Sequence, residues 1–183
     1  MCLSVLGMLK GLHDPKDAIK HYDELIDEFG GSPYASVRKL VADAMVKRGV
    51  LAGKDEPQAA IRDFDAVVRK YGGDPDAAMQ EHVAAAMFER GAIIADTDPQ
   101  GAIGRLAAVA AAFGDNPAPG VQKQVARAMY RRGAVIGESD PKGAVEGFDA
   151  VIAKFGDNPI AGVREQVARA RQYRALISFM DKA

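Results

Sequence analysis

An all-α fold, a stack of antiparallel helix pairs forming an α-solenoid, is the architecture this 183-residue sequence predicts. Three observations carry the prediction. Acid–proline dipeptides recur at Asp14-Pro15, Glu56-Pro57, Asp98-Pro99 and Asp140-Pro141, each step being 42 residues without insertion. A second set keeps the same step: Phe29-Gly30, Tyr71-Gly72, Phe113-Gly114 and Phe155-Gly156, each followed by a proline, at 33, 75, 117 and 159. Between these marks the apolar residues fall at spacings of one, three and four, which line one face of a helix and do not alternate as a strand would. Self-similarity at such a period indicates supersecondary units that bury their apolar faces only against one another.

The punctuation has a mechanism. An acidic residue ahead of proline reads as an N-cap followed by the first helical position, where the missing N–H costs nothing. Ser32, Asp74, Asn116 and Asn158 stand in the same relation to the other prolines and are expected to cap a second helix. Gly30, Gly72, Gly114 and Gly156 are expected to close the preceding helix in the left-handed conformation. Each repeat is therefore two helices with short connections. Residues 1–30 form a truncated first pair, 31–72, 73–114 and 115–156 full pairs, and 157–183 a terminal capping helix.

The shorter helix of each pair runs from the acid–proline to the aromatic–glycine. Its apolar face reads Ala18, Ile19, Tyr22, Leu25, Ile26, Phe29 in the first copy and Ala144, Val145, Phe148, Val151, Ile152, Phe155 in the last. These aromatics are core rather than a stacking platform. The longer helix spans about 20 residues and repeats Val41, Ala44, Met45, Gly49 as Val83, Ala86, Met87, Gly91 and as Val125, Ala128, Met129, Gly133. A glycine inside a helix costs about 1 kcal/mol relative to alanine. Three at one register imply close approach of a neighbouring helix.

The ends depart from the pattern. Residues 1–12 match the last part of a long helix but are apolar almost all round, through Leu3, Val5, Leu6, Met8, Leu9 and Leu12. They read either as the remnant of a preceding repeat or as a surface buried in an oligomer, with Leu3, Leu6 and Leu9 the self-association candidates. At the other end Ala175 stands where glycine is expected, and the arginine-rich final helix reads as a water-facing cap.

Composition narrows the chemistry. With 24 Lys/Arg against 25 Asp/Glu the formal net charge is −1, which argues against generic nucleic-acid or membrane-surface binding. Cys2 is the single cysteine, so an internal disulfide and thiolate clusters are ruled out. The apolar start is too short to span a bilayer and lacks the flanks of a signal peptide, and a cytoplasmic protein is expected. His13, His21 and His82 are scattered without metal spacing, and His82 is placed on the exposed or groove side of a long helix. The FGGSP and YGGDP stretches are helix stops rather than phosphate cradles. No nucleophile motif occurs. The expectation is a protein that is not an enzyme, with no catalytic residue, metal or cofactor.

The repeated Gly49, Gly91 and Gly133, with Ala60, Ala102 and Ala144 and the bulky Phe64, Leu106 and Phe148, resemble the small and aromatic positions of the tetratricopeptide (TPR) family. The resemblance covers essentially the whole chain, in a variant whose repeat is 42 residues and not the family's 34. It departs from the family at Met45, Met87 and Met129, where an aromatic is usual. The resemblance implies a right-handed superhelix with the long helices lining a concave groove. The groove-facing residues it implies include Lys47, Phe88, Arg127, Tyr130, Arg131, Arg169, Gln172 and Tyr173. The family's clamp for a C-terminal carboxylate uses Lys and Asn where Val46 and Val50 stand, so that form of grip is absent.

Charge is uneven along the chain. Residues 1–98 carry 12 basic and 17 acidic side chains, and residues 99–183 carry 12 and 8. Lys123, Arg127 and Arg131, four apart, form one row on a single helix. Two readings of this row stand side by side: a solvated face pairing with Glu165 or Asp149, and a grip for an acidic segment. The functional expectation is a protein- or peptide-binding module using the groove around Phe88, Tyr130 and Tyr173. The alternative is a scaffold that forms a homo-oligomer through residues 1–12. The acidic first half argues against a nucleic-acid track.

Overall fold

The computed structural model describes residues 14–180, and among them the secondary structure is helical without a strand. In chain order the helices are α1 (Pro15–Phe29), α2 (Ala35–Ala52), α3 (Pro57–Tyr71), α4 (Ala77–Ala92), α5 (Pro99–Phe113), α6 (Pro119–Gly137), α7 (Pro141–Phe155) and α8 (Ala161–Met180). The odd-numbered helices are the short ones, each 15 residues. The all-α class and the long–short alternation are as the sequence predicts.

Each short helix starts at its proline. Asp14 accepts from the Lys16 N–H at 2.8 Å, Asp98 from Gly101 at 2.9 Å and Asp140 from Gly143 at 3.0 Å. Glu56, one methylene longer, makes no such bond, in line with the preference for short acceptors at this position.

Two local expectations are corrected. The long helices begin two residues after the prolines at 33, 75, 117 and 159. The Ser32, Asp74, Asn116 and Asn158 side chains accept instead from the N–H two residues on, at 3.3, 3.0, 2.9 and 3.0 Å. They build turns in which proline presets φ, and the chain is still extended at Tyr34 and Ala118. Ahead of α4, Asp76 takes over the capping role, accepting from Ala78 and Met79 at 3.0 Å. The glycines that follow the short helices are right-handed, with φ between −60 and −53°. Their requirement is steric: a Cβ at Gly30, Gly72, Gly114 or Gly156 would lie 2.5, 2.6, 2.5 or 2.7 Å from the carbonyl oxygen four residues back.

The chain divides into two compact units, residues 1–86 and 87–183, the boundary falling within α4. In the first unit α2 packs on both α1 and α3, and Val41, Phe64 and Val67 are buried to 1% exposure or less. Gly49 explains the approach of α3, for a Cβ there would sit 2.6 Å from the Phe64 ring. Arg48, beside it, spans three helices: its guanidinium is bidentate on Asp63 of α3 and donates to Asp23 of α1 at 2.5 Å. These carboxylates push the Arg48 pKa above its ordinary value, the Asp63 hydrogen bonds outweighing burial.

In the second unit α7 is held between α6 and α8, α5 packs on α6, and α6 also touches α8. Leu106, Val109, Val121, Val125, Phe148, Val151 and Val163 are buried to 1% exposure or less. Full burial of such a side chain is worth about 1.5–3 kcal/mol. Gly91 lies under Leu106 and Gly133 under Phe148, a Cβ at either being 3.0 Å from the nearest side-chain atom. The three mid-helix glycines thus mark close helix approach, as their register implies.

Polar links keep the same register. Arg38 in α2 donates to Asp74 at 2.9 Å, and Asn158 donates to Gln122 in α6 at 2.8 Å. Each joins the first turns of a long helix to the turn before the next one.

Candidate binding surface

The second unit carries all but one of the groove residues the sequence singles out, on the end of α4 and on α6 and α8. α6 sets Lys123, Arg127, Tyr130 and Arg131 on one side because they recur at three- and four-residue spacing. α8 sets Arg169, Gln172 and Tyr173 likewise.

Phe88 is not a groove-facing side chain: it is buried to 7% exposure. The Arg127 guanidinium stacks over its ring at 4.1 Å, so Phe88 forms the floor beneath a cation. Arg127 also donates to Gln124 Oε1 at 2.8 Å and to Glu89 Oε1 at 3.0 Å. Gln124, itself buried, orients the guanidinium. Arg131 lies 3.8 Å from Asp96, and Arg169 pairs with Glu165 one turn earlier at 2.7 Å. Lys123 makes no ion pair among the described residues, and its methylenes lie where a Cβ at Gly162 would touch them.

The arginines are therefore already neutralised by carboxylates of their own unit. Glu165 is the partner the sequence suggests for the row as a solvated face, though it pairs with Arg169. The other suggested carboxylate, Asp149, holds Arg174 at 2.5 Å.

Above this layer three rings meet. Tyr130 lies 5.7 Å from Phe148 and 6.1 Å from Tyr173, edge to face with the latter, and Phe148 lies 5.8 Å from Tyr173. Phe148 is fully buried whereas Tyr173 is 46% exposed. The cluster thus runs from core to solvent, each contact of this type adding about 0.5–1.5 kcal/mol beyond burial. Burial and then the Tyr173 hydroxyl raise the Tyr130 pKa. Gln172 is exposed beside them.

Lys47 belongs to the first unit. It is exposed and donates to Asp43 at 2.6 Å. The other Asp43 oxygen lies 4.0 Å from His82 Nδ1. Of the two placements expected for His82, a fully exposed one does not hold: the side chain is 23% exposed, and desolvation, only partly offset by Asp43 and Glu81, lowers its pKa. Leu3, Leu6 and Leu9 lie outside the described residues.

Two features escaped the sequence reading. One is the pairing of Arg127 with Glu89, residues of successive long helices whose register puts both on one side. The other is the far end of α8 beyond Leu176, the last groove-facing position the resemblance implies: Phe179 and Met180 are 72 and 68% exposed, and Leu176 itself is 53% exposed. Among the described residues no group of three His, Cys, Asp or Glu is arranged to hold a metal ion, and no helix is long and apolar enough to cross a membrane.

Compared with known proteins, the chain matches no family model, no curated protein and no solved structure.

Proposed function

We propose that the chain is a TPR-like α-solenoid that works as a non-enzymatic interaction module, binding a peptide or protein segment on the α6–α8 side of its second unit. The observation that supports this reading is the half-exposed Tyr173 set edge-on to Tyr130 over buried Phe148. Tyrosine at such a place offers apolar area with little conformational entropy to lose, and Arg169 and Arg131 lie close enough to act on the Tyr130 hydroxyl and can offer donors to a planar anion.

The pairing of those arginines refines the expected ligand. An acidic segment gains contacts by exchanging one carboxylate for another, at Glu89, Asp96 and Glu165, which contributes specificity more than net affinity. The affinity comes from side chains laid on the tyrosines.

The test is a displayed library of 16-residue peptides selected on the whole protein. Tyr130→Ala and Tyr173→Ala should each weaken the selected peptides by about tenfold or more, the scale of an interface anchor. Arg127→Glu with Arg131→Glu should change which sequences are selected. Selected peptides that bind both tyrosine variants undiminished would remove the assignment.

A further inference from the structure

The repeat sets two places on successive long helices opposite each other. Between α4 and α6 they hold Glu89 and Arg127, joined at 3.0 Å. One step of 42 residues on, between α6 and α8, the same two places hold Arg131 and Arg169. Where the earlier step has an acid and a base, this one has two guanidiniums. α6 and α8 pack on each other, so two like charges come to one contact, which is unfavourable until an anion neutralises them.

The carboxylates already present do this poorly. Asp96 stands 3.8 Å from Arg131, and its side chain is 90% exposed. Glu165 pairs with Arg169 at 2.7 Å from one turn earlier on the same helix, both side chains being more than half exposed. Exposed pairs of this kind contribute little. Glu89 and Arg127, by contrast, are each less than one-third exposed, and the Phe88 ring and Gln124 hold that guanidinium as well.

Two phenols complete the place. Tyr130 and Tyr173 meet edge to face with ring centroids 6.1 Å apart, both against the buried Phe148. Burial and then the Tyr173 hydroxyl raise the Tyr130 pKa, while Arg169 and Arg131 oppose the rise. Both guanidiniums and both hydroxyls therefore lie near one point on the α6–α8 side.

Charge and donor geometry select the ligand. A carboxylate carries one charge and two coplanar oxygens, which a single arginine satisfies bidentately. A phosphate monoester carries about −1.5 to −2 charge at pH 7 and three strong acceptor oxygens. It neutralises two guanidiniums at once and still accepts from a phenol hydroxyl.

We propose that Arg131, Arg169, Tyr130 and Tyr173 form a subsite for a phosphorylated side chain of the bound protein segment. This rests on the reading of the α6–α8 side as an interaction surface and names the group that surface selects.

The experiment uses the whole protein and pools of synthetic 16-residue peptides, random except for a central phosphoserine, serine or glutamate. Peptides retained from the phosphoserine pool should bind at least about tenfold more tightly than their serine and glutamate counterparts, the scale of hydrogen bonds to charged groups. Arg131→Glu, which sets at this step the acid–base pair of the step before, should abolish that preference with helicity and melting undiminished. Arg169→Gln should reduce the preference about tenfold. Equal binding of phosphoserine and glutamate peptides overturns the proposal, and so does a phosphate preference that survives both changes. In either case, serine peptides that bind and are weakened by Tyr173→Ala leave the proposed function standing. If no pool is retained, both fall. Binding of anionic-lipid vesicles or single-stranded RNA, lost in Arg131→Glu and without a preference for phosphoserine peptides, also overturns it.

Discussion

Gly49 lies directly against the ring of Phe64, with so little room that a Cβ on the glycine would stand 2.6 Å from Cε1 and 2.9 Å from Cζ. Alanine at 49 would gain about 1 kcal/mol of helix propensity, but overpacking of this kind costs about 1–3 kcal/mol. Gly49→Ala is expected to destabilise by about 1 kcal/mol net, read as a lower urea midpoint with unchanged slope. Phe64→Leu, the residue that stands at the equivalent 106 over Gly91, should relieve the clash, so the double variant should be more stable than the two single changes added together predict.

Arg48 is the second fixed point of the first unit. Asp63, its bidentate partner, is only 14% exposed. Arg48→Met would leave that carboxylate without its cation, and a loss of about 2–3 kcal/mol is expected. Arg48→Met with Asp63→Leu should recover much of the loss, because removing both charges removes the desolvation cost too. A double-mutant cycle by urea denaturation measures the coupling.

Tyr71 is 3% exposed and its hydroxyl has no hydrogen-bond partner among the described residues. The other three copies hold Phe29, Phe113 and Phe155 at this place. Tyr71→Phe should stabilise the protein by about 1 kcal/mol, since an unsatisfied buried hydroxyl costs about 1–3 kcal/mol. Unchanged or lowered thermal stability would show that the hydroxyl is satisfied in solution.

His82 sets a pH dependence. Burial lowers its pKa in the folded protein below the ordinary value, with Lys47 and Lys39 adding to the effect and Asp43 and Glu81 opposing it. The unfolded chain therefore takes up the proton first as pH falls. Stability is undiminished above about pH 6.5 and is lost as pH drops from there through the folded value. His82→Gln, the residue at the equivalent 124 and 166, should flatten stability between about pH 7 and pH 5. Asp76 acts in a separate window: Lys39 and the α4 backbone hold its pKa down, so its contribution is present above about pH 4 and is lost as pH falls through its folded value.

The helix order, the mid-helix glycines and the acid–proline starts were legible because each is a local rule repeated at one period. Helix caps were less so. Asn158 and Ser32 look like N-caps, yet both form turns two residues earlier, since the oxygen can reach the N–H of either site and only the path of the chain decides. The glycine after each short helix was identified, but for the wrong reason, because the carbonyl of residue 26 or 68 that crowds it becomes visible only in three dimensions.

The candidate surface divides the same way. Helical spacing alone put Arg127, Tyr130 and Arg131 on one side of α6 and Gln172 and Tyr173 on one side of α8. Only the tertiary structure decided that Phe88 is buried beneath Arg127, that Glu89 and Asp96 already occupy the arginines, and that Tyr130 and Tyr173 meet over Phe148. Periodicity specifies which residues share a face of their own helix. Which charge finds which partner, and which apolar side chain stays in water, depends on the distance and rotation between helices. Those are set by side-chain volumes on both sides, such as Gly133 under Phe148, and no single segment of sequence contains them.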